Sequence, residues 1–420
     1  MTEIKLGYGR SSVSFEFDEG RYQVLGGNQV DEKPLTDFEI GEALNSLIDS
    51  PPIDDLVSAG DSVLIVVSDA TRATASAQFI HLLVRRLIQG GVSPADIAII
   101  FATGIHRSVT SEEKIELLTP FIAQRVKILE HDAYDSSTMI SLGTTQHGTP
   151  VEVNRALRDF SRVIITGAIG FHYFAGFTGG RKSICPGLAS ARTIEATHML
   201  AFDFETGGRR AGVDTALLEG NAVHEECAEI ARLVEPSLSI NTVVDERGRA
   251  TRIYAGDWRV AHAIGCGYYL AAHSVIIDAK REIVIVSCGG SPYDANMIQG
   301  HKALDMATHA CLEGGDIILL AECPDGLGRA DFLKWFDAQD SSELETQLRH
   351  NYEVNGQTAW ALLTKAERYQ LHLVSTLPDA DVVRMRMRPA HSLKEAVESL
   401  GYVGDGYIMP RGAAFLPQLN

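Results

Sequence analysis

Short apolar runs alternate with amphipathic segments along most of the chain. Residues 62–68 (SVLIVVS) are typical of a buried strand, and residues 77–89 place apolar side chains at helical spacing until Gly90 and Gly91 end the helix. The same reasoning predicts three further strands, at residues 97–103, 126–130 and 162–166. Because strands and helices alternate, we expect parallel βαβ units in a doubly wound sheet.

The pattern changes after residue 236. Two predicted strands, residues 239–244 and 250–254, flank a DERG turn and indicate an antiparallel hairpin, which a helix at residues 260–272 follows. A second βα series then begins at residues 282–287, with later strands at 316–321 and 371–375.

The sequence therefore predicts an α/β protein of two domains, each built on a mostly parallel sheet flanked by helices. We expect an N-terminal domain at residues 1–280 and a C-terminal domain at 281–399. The tail, residues 400–420, is expected to return to the first domain, and the active site to lie in the cleft between the domains.

Composition narrows the function classes. A chain of 420 residues with 45% hydrophobic and 22% charged residues is typical of a globular protein, and a net charge of −18 argues against nucleic acid and anionic membranes as partners. No apolar run approaches the roughly 18 residues that span a bilayer, and the first ten residues lack a signal-peptide core. Six scattered cysteines without CxxC spacing indicate reduced thiols, so we expect a cytoplasmic protein.

Polar motifs follow three of the predicted strands. They are SDATR at residues 68–72, TGIHR at 103–107 and GFH at 170–172. Carboxyl ends of parallel strands share one sheet edge, so we expect these loops to converge on a single site. His106 and His172 lie in two of them, with His198 farther along the chain. Two facing imidazoles can take a proton from either side of a chiral centre.

A glycine-rich segment, GFTGGRKSICPG at residues 176–187, follows the third motif. Glycines let the backbone approach a phosphate or a flat ring, and the segment partly matches a nucleotide-binding P-loop. Arg181 stands where that loop needs glycine, so Lys182 is as well suited to be a covalent anchor for a cofactor acyl or carbonyl group. Neither the common metal-binding spacings nor GxGxxG occur, so a metal would need ligands from a cofactor.

These motifs resemble the ordered signature of the lactate racemase family. The matching segments are SDxTR at 68–72, TGxHR at 103–107, FHxFxG at 171–176, GGRKSICPG at 179–187, His198, GNAVHE at 220–225 and QGHKA at 299–303. The resemblance runs from about residue 6 to residue 411. It implies a nickel pincer nucleotide, a pyridinium mononucleotide that carries a thioamide and a thiocarboxylate and binds nickel through two sulfurs and a ring carbon.

The resemblance also implies roles by position. Lys182 is similar to the lysine that forms the thioamide link, His198 to the nickel ligand, and His106 and His172 to the catalytic pair. The remaining matches are substrate contacts at Arg72, Gln299 and Lys302 and cofactor contacts at Asp69, Phe174, Gly179 and Gly180. The implied partners are a small 2-hydroxy acid and the enzymes that mature the cofactor, while the oligomeric state stays open, a homo-oligomer included.

The implied chemistry agrees with the residues. The α-hydrogen of a 2-hydroxy acid is barely acidic, so it is easier to remove as hydride than as a proton. The resemblance implies that one histidine takes the hydroxyl proton while the pyridinium accepts the hydride. The keto acid then turns, and the hydride returns to its other face. Ile298 stands where lactate-acting members carry an aromatic residue, which favours a larger hydroxy acid. Two alternatives remain, a phosphate- or nucleotide-handling enzyme that uses residues 176–183 as an irregular P-loop, and a non-catalytic relative that binds a hydroxy acid or nucleotide.

Overall fold

The computed structural model describes residues 2–26 and 33–420. The strands are β1 Thr2–Tyr8, β2 Ser11–Phe17, β3 Tyr22–Val24, β4 Val63–Ser68, β5 Ile97–Ala102, β6 Lys127–Leu129, β7 Met139–Thr144, β8 Pro150–Asn154, β9 Arg162–Ala168, β10 Phe171–His172, β11 Gly176–Phe177, β12 Leu238–Val244, β13 Ala250–Gly256, β14 Ser274–Ile277, β15 Arg281–Ser287, β16 Cys311–Leu320, β17 Gln370–Val374, β18 Arg388–Ala390, β19 Gly406–Met409 and β20 Leu416–Leu419.

The helices are α1 Asp37–Asn45, α2 Ile53–Leu56, α3 Ser76–Gln89, α4 Ser111–Leu118, α5 Pro120–Arg125, α6 Ala156–Asp159, α7 Ala191–Met199, α8 Ala222–Val234, α9 Val260–His273, α10 Met297–Ala307, α11 Ser341–His350, α12 Val354–Arg368, α13 Asp379–Arg384 and α14 Leu393–Glu398. A short 3-10 helix, Gly180–Ser183, lies within the glycine-rich segment.

The chain forms two compact units. The central unit comprises the described residues of Asp31–Asp203 together with Arg209–Tyr269. The terminal unit comprises the described residues of Met1–Val30, the short stretch Phe204–Gly208, and Leu270–Asn420. Each unit has its own six-stranded sheet.

In the central unit the strand order is β13-β12-β9-β4-β5-β6, and only β13 runs antiparallel to its neighbour. Alternate residues of β4 pack into two hydrophobic clusters on opposite faces of the sheet. Val63, Ile65 and Val67 pack with α1 and α3. Leu64 and Val66 pack into the second cluster, which includes α8. A sheet buried on both faces needs continuous apolar strands, which explains the sequence VLIVV.

In the terminal unit the order is β18-β17-β16-β15-β19-β3, with every pair parallel. Ile283 and Ile285 of β15 pack with Leu6, Phe17 and the other apolar side chains of the β1–β2 hairpin. The N-terminal strands thus complete a core whose remaining members come from the C-terminal part of the chain.

Every strand and helix predicted above is present, with ends shifted by a few residues, and the predicted hairpin is β12–β13. The division of the chain differs from the expected one. We expected residues 1–280 to form one domain, but β1–β3 belong to the terminal unit and the units separate between Tyr269 and Leu270. The tail also stays in the terminal unit, because β19 pairs with β15 and β3, and β20 pairs with β14.

Two further expectations concern composition. All six cysteines are free thiols, as predicted, and all six are buried. Across residues 2–26 and 33–420, every helix is too short or too polar to cross a membrane.

Candidate active site

Asp69 and His106 form a polar pair just beyond the carboxyl ends of β4 and β5. The Oδ2 of Asp69 lies 2.7 Å from Nδ1 of His106, and its Oδ1 accepts hydrogen bonds from the backbone and hydroxyl of Thr71 at 2.9 and 2.6 Å. Burial of Asp69 raises the pKa of its carboxyl, but the hydrogen bonds from His106 and Thr71 outweigh burial, and the pKa lies below its ordinary value. An ionised Asp69 favours the tautomer of His106 that carries its proton on Nδ1, which leaves Nε2 able to accept a proton.

The glycine-rich segment folds into a tight turn that excludes side chains. A Cβ on Gly179, whose φ is 135°, would lie 2.3 Å from the His262 ring, and a Cβ on Gly180 would lie 2.6 Å from the Ser239 hydroxyl. Asn241 accepts a hydrogen bond from the Gly180 backbone at 2.7 Å and donates one to Ser239 at 2.9 Å. The loop is therefore clamped against β12 before Lys182 emerges from it.

Lys182 has an unusual electrostatic setting. Its ammonium lies 5.5 Å from the centre of the Phe174 ring. The pKa of Lys182 is lowered to about 7, mainly by burial and in part by the positive charges of Arg181 and Arg72. Near neutral pH much of this amine is uncharged, which is the form that attacks a carbonyl or acyl carbon.

Phe174 connects three of the predicted site residues. Its buried ring lies 4.5 Å from the ring of His172 and 5.2 Å from that of His198, in edge-on geometry, in addition to its contact with Lys182. The β10–β11 hairpin presents this ring, and Nδ1 of His172 accepts a hydrogen bond from the Ala175 backbone at 3.3 Å. The structure thus gathers His172, Lys182 and His198 around one aromatic ring.

His198 is a buried neutral imidazole near the end of α7. The pKa of His198 is lowered to about 3, mainly by burial and in part by the charge of Lys182. A neutral imidazole is the form that ligates a metal ion. His198 is only 7% exposed. A metal ion bound by this imidazole would therefore have to lie on its interior side, near Phe174 and Lys182.

The remaining predicted residues differ in exposure. Arg72 is exposed on the loop that begins with Asp69. Gln299 and Lys302 belong to the terminal unit, on the first turns of α10, where Nζ of Lys302 donates to Oε1 of Gln299 at 2.6 Å. Asn296 caps this helix by accepting a hydrogen bond from the Gln299 backbone at 3.1 Å.

Sequence reasoning missed the residues that support the loop. Asn241 is completely buried and clamps Gly180. Arg181, 2% exposed, donates to the backbone oxygens of Phe177 and Ala175 at 3.1 and 3.3 Å and contacts His262 at 2.8 Å. A polar residue within an apolar strand was the available signal for Asn241. Arg181 was noticed only as a mismatch to the P-loop, whereas it braces the hairpin that carries Phe174.

The pairing of Asp69 with His106 leads to a first prediction. Asp69→Asn should lower kcat by roughly 10²- to 10⁴-fold, the range of general acid–base effects, because the amide no longer stabilises the proton on Nδ1 of His106. The pH profile of kcat should shift as well, which a purely structural role would not produce. Asp96→Asn is the matched control, since Asp96 is exposed at the opposite end of β5. Wild-type kcat in Asp69→Asn would contradict the orienting role.

Comparisons with known proteins cover almost the whole chain. Residues 8–207 match the lactate racemase N-terminal domain, and residues 276–404 match the lactate racemase C-terminal domain. The chain is 31% identical to the lactate racemase of Lactiplantibacillus plantarum, over 97% of this chain and 96% of the relative. It is 30% identical to that of Thermoanaerobacterium thermosaccharolyticum, over 95% and 94% of the two chains.

Solved structures agree. The lactate racemase apoprotein from Thermoanaerobacterium thermosaccharolyticum superposes with a TM-score of 0.90 at 27% identity, covering 99% of this chain and 100% of that one. A Thermotoga maritima protein shares the fold, with a TM-score of 0.69 at 19% identity over 92% and 99% of the chains. The chain therefore belongs to the lactate racemase family and is a racemase, which is a kind of isomerase.

Proposed function

We propose that this protein racemises or epimerises a 2-hydroxy acid with a nickel pincer nucleotide tethered to Lys182. The observation that carries the proposal is the ring of Phe174, around which Lys182, His172 and His198 gather at 4.5 to 5.5 Å. A tethering amine, an acid–base imidazole and a metal-binding imidazole are the groups this chemistry needs.

The residues present suit such a cofactor. We assign Gly179 and Gly180 to the cofactor site because their lack of a Cβ lets the loop pack directly on His262 and Ser239, which fixes where Lys182 emerges. Lys182 offers an amine with a pKa of about 7, and His198 offers a neutral imidazole, a donor that nickel accepts readily. When bound, the pyridinium of the cofactor would supply a hydride acceptor beside the substrate.

The protein's own groups would bind the substrate and move its proton. His106, held by Asp69, and His172 would each take the hydroxyl proton of one enantiomer and return it to the other. We assign Arg72, Gln299 and Lys302 to the substrate, where a positive charge beside a carboxylate or a developing ketone commonly contributes about 3 kcal/mol. We place the enzyme in the cytoplasm, together with the enzymes that mature the cofactor.

The proposal extends to the size of the substrate. Ile298 is half-buried next to Gln299 on the first turn of α10. An aliphatic side chain there favours a hydroxy acid larger than lactate, with an aromatic, dicarboxylic or sugar-acid side chain.

The test is chiral analysis of a 2-hydroxy acid panel incubated with nickel-loaded, cofactor-matured protein. We expect one or more pure enantiomers of the larger acids to become racemic or epimeric mixtures, with lactate converted more slowly. Lys182→Ala matured in parallel is the control for contaminating racemases. Absence of inversion across the panel, in protein shown by mass to carry the adduct, would refute the proposal.

His198→Ala provides a second prediction. Removing the imidazole should release nickel while the nucleotide stays attached to Lys182, because the tether and the ligand are different side chains. Elemental analysis gives nickel per protein, and intact mass gives the adduct. Equal nickel content in the variant and the wild type would contradict the ligand assignment.

The P-loop alternative has weaker support. Gly180–Ser183 forms a 3-10 helix, and the Ser183 hydroxyl, which would bind magnesium in a P-loop, donates to the Gly180 carbonyl instead. Binding of ATP with magnesium that survives Lys182→Arg, which keeps the positive charge without the nucleophilic amine, would favour a nucleotide site over the tether.

A further inference from the structure

A second group of ligating side chains lies on the central unit, among residues used by none of the roles above. His147 is on the turn between β7 and β8, and Glu226 and Glu229 are one helical turn apart on α8. One ligand atom from each residue lies within 4.8 Å of the other two. Two carboxylates and an imidazole converge here from separate elements.

The turn is held against the helix by these carboxylates. The Thr145 hydroxyl donates to Oε1 of Glu226 at 2.5 Å, and Nδ1 of His147 lies 2.8 Å from Oε2 of the same residue. The Gln146 backbone donates to Glu229 at 3.1 Å. These contacts come from three consecutive residues of the turn, and they hold both glutamates beside His147.

Two carboxylates lie close together at this point. Glu226 is completely buried, and a second carboxylate within 4.8 Å adds repulsion. Arg232 reaches Glu229 only at 3.9 Å and is itself 60% exposed, so it compensates little of that repulsion. A metal ion bound between the two carboxylates would offset this repulsion.

We propose that His147, Glu226 and Glu229 bind one divalent transition metal ion of the zinc class. An imidazole nitrogen with two carboxylate oxygens suits zinc, cobalt or nickel, whereas magnesium and calcium prefer oxygen ligands throughout. His147 is 37% exposed, so an ion can enter from solvent and water can complete its coordination. The ion would fasten the β7–β8 turn to α8, independently of the function proposed above.

Zinc binding to cofactor-free protein tests the proposal. The chain is produced without maturation enzymes, stripped with chelator, and titrated with Zn²⁺ by calorimetry, with Co²⁺ absorption as a spectroscopic check. We expect binding in the wild type and a raised Tm. His147→Ala and Glu229→Gln should each weaken binding by at least about tenfold, because loss of even an outer partner of a metal ligand has that effect.

Two further variants locate the site. His391→Ala is the matched control, since His391 is a 70% exposed histidine near Asp379, and it should bind zinc as the wild type does. His198→Ala should also retain this ion. Unchanged zinc affinity in His147→Ala or Glu229→Gln, loss of the ion in His198→Ala alone, or absence of binding in the wild type would each overturn the proposal.

Discussion

Replacing His106 or His172 by alanine in cofactor-loaded protein is expected to lower kcat by about 10²- to 10⁴-fold, the contribution typical of a positioned acid or base. For a pair of enantiomers kcat/KM should fall equally in both directions, because the enantiomers have equal free energy and the equilibrium constant stays at one. His106 is oriented by Asp69 at 2.7 Å, and His172 by the Ala175 backbone at 3.3 Å. The measurement is the initial rate of inversion of each pure enantiomer.

The control separates chemistry from folding and loading. His391→Ala should keep full activity, and both site variants should carry the lysine adduct by intact mass. Near-normal turnover in His106→Ala or His172→Ala would remove that residue from the acid–base pair. A fall in adduct instead of in kcat would show that the histidine acts on cofactor binding.

Replacing Lys182 by alanine is expected to abolish cofactor attachment completely. In our proposal its amine is the nucleophile that the clamped loop directs toward Phe174. Intact mass should show the adduct in wild-type protein and none in Lys182→Ala after the same maturation. Lys182→Arg is the matched variant, because it keeps the positive charge and lacks a nucleophilic amine. An adduct of wild-type mass in either variant would refute the tether.

The pKa of Lys182 gives this prediction a pH dependence. An ordinary lysine has a pKa near 10.4, whereas burial lowers that of Lys182 to about 7. Only the neutral amine reacts, so attachment should slow about tenfold per pH unit below 7 and level off above it. A rate that continues to rise up to about pH 10 would indicate an ordinary, solvated lysine.

Local sequence patterns predicted the secondary structure well. Runs such as VLIVV in β4 are apolar on both sides of the strand, so neither face could be left to solvent. The hairpin β12–β13 was recognisable because its turn residues are polar and its strands are short and apolar. Hydrophobic periodicity reports which side chains are buried, and this depends mostly on near neighbours.

The site was predictable in part for a similar reason. The motifs containing His106 and His172 follow strands of one parallel sheet, so the sheet edge on which they lie could be inferred from the order of strands and motifs alone. The contacts between individual side chains could not be inferred in this way. Asp69 pairs with His106 across 37 residues of sequence, and Phe174 was expected only to contact a cofactor ring, whereas it contacts Lys182, His172 and His198.

By itself the sequence determined the α/β class, the positions of most strands and helices, and the family motifs, since each depends on residue type and short-range spacing. Tertiary structure decided that β1–β3 join the terminal unit and that Asn241 and Arg181 brace the glycine loop. It also decided the shifted pKa of Lys182. These features arise because segments that are distant in the sequence come into contact and exclude solvent. Local periodicity encodes neither these long-range contacts nor the loss of solvent.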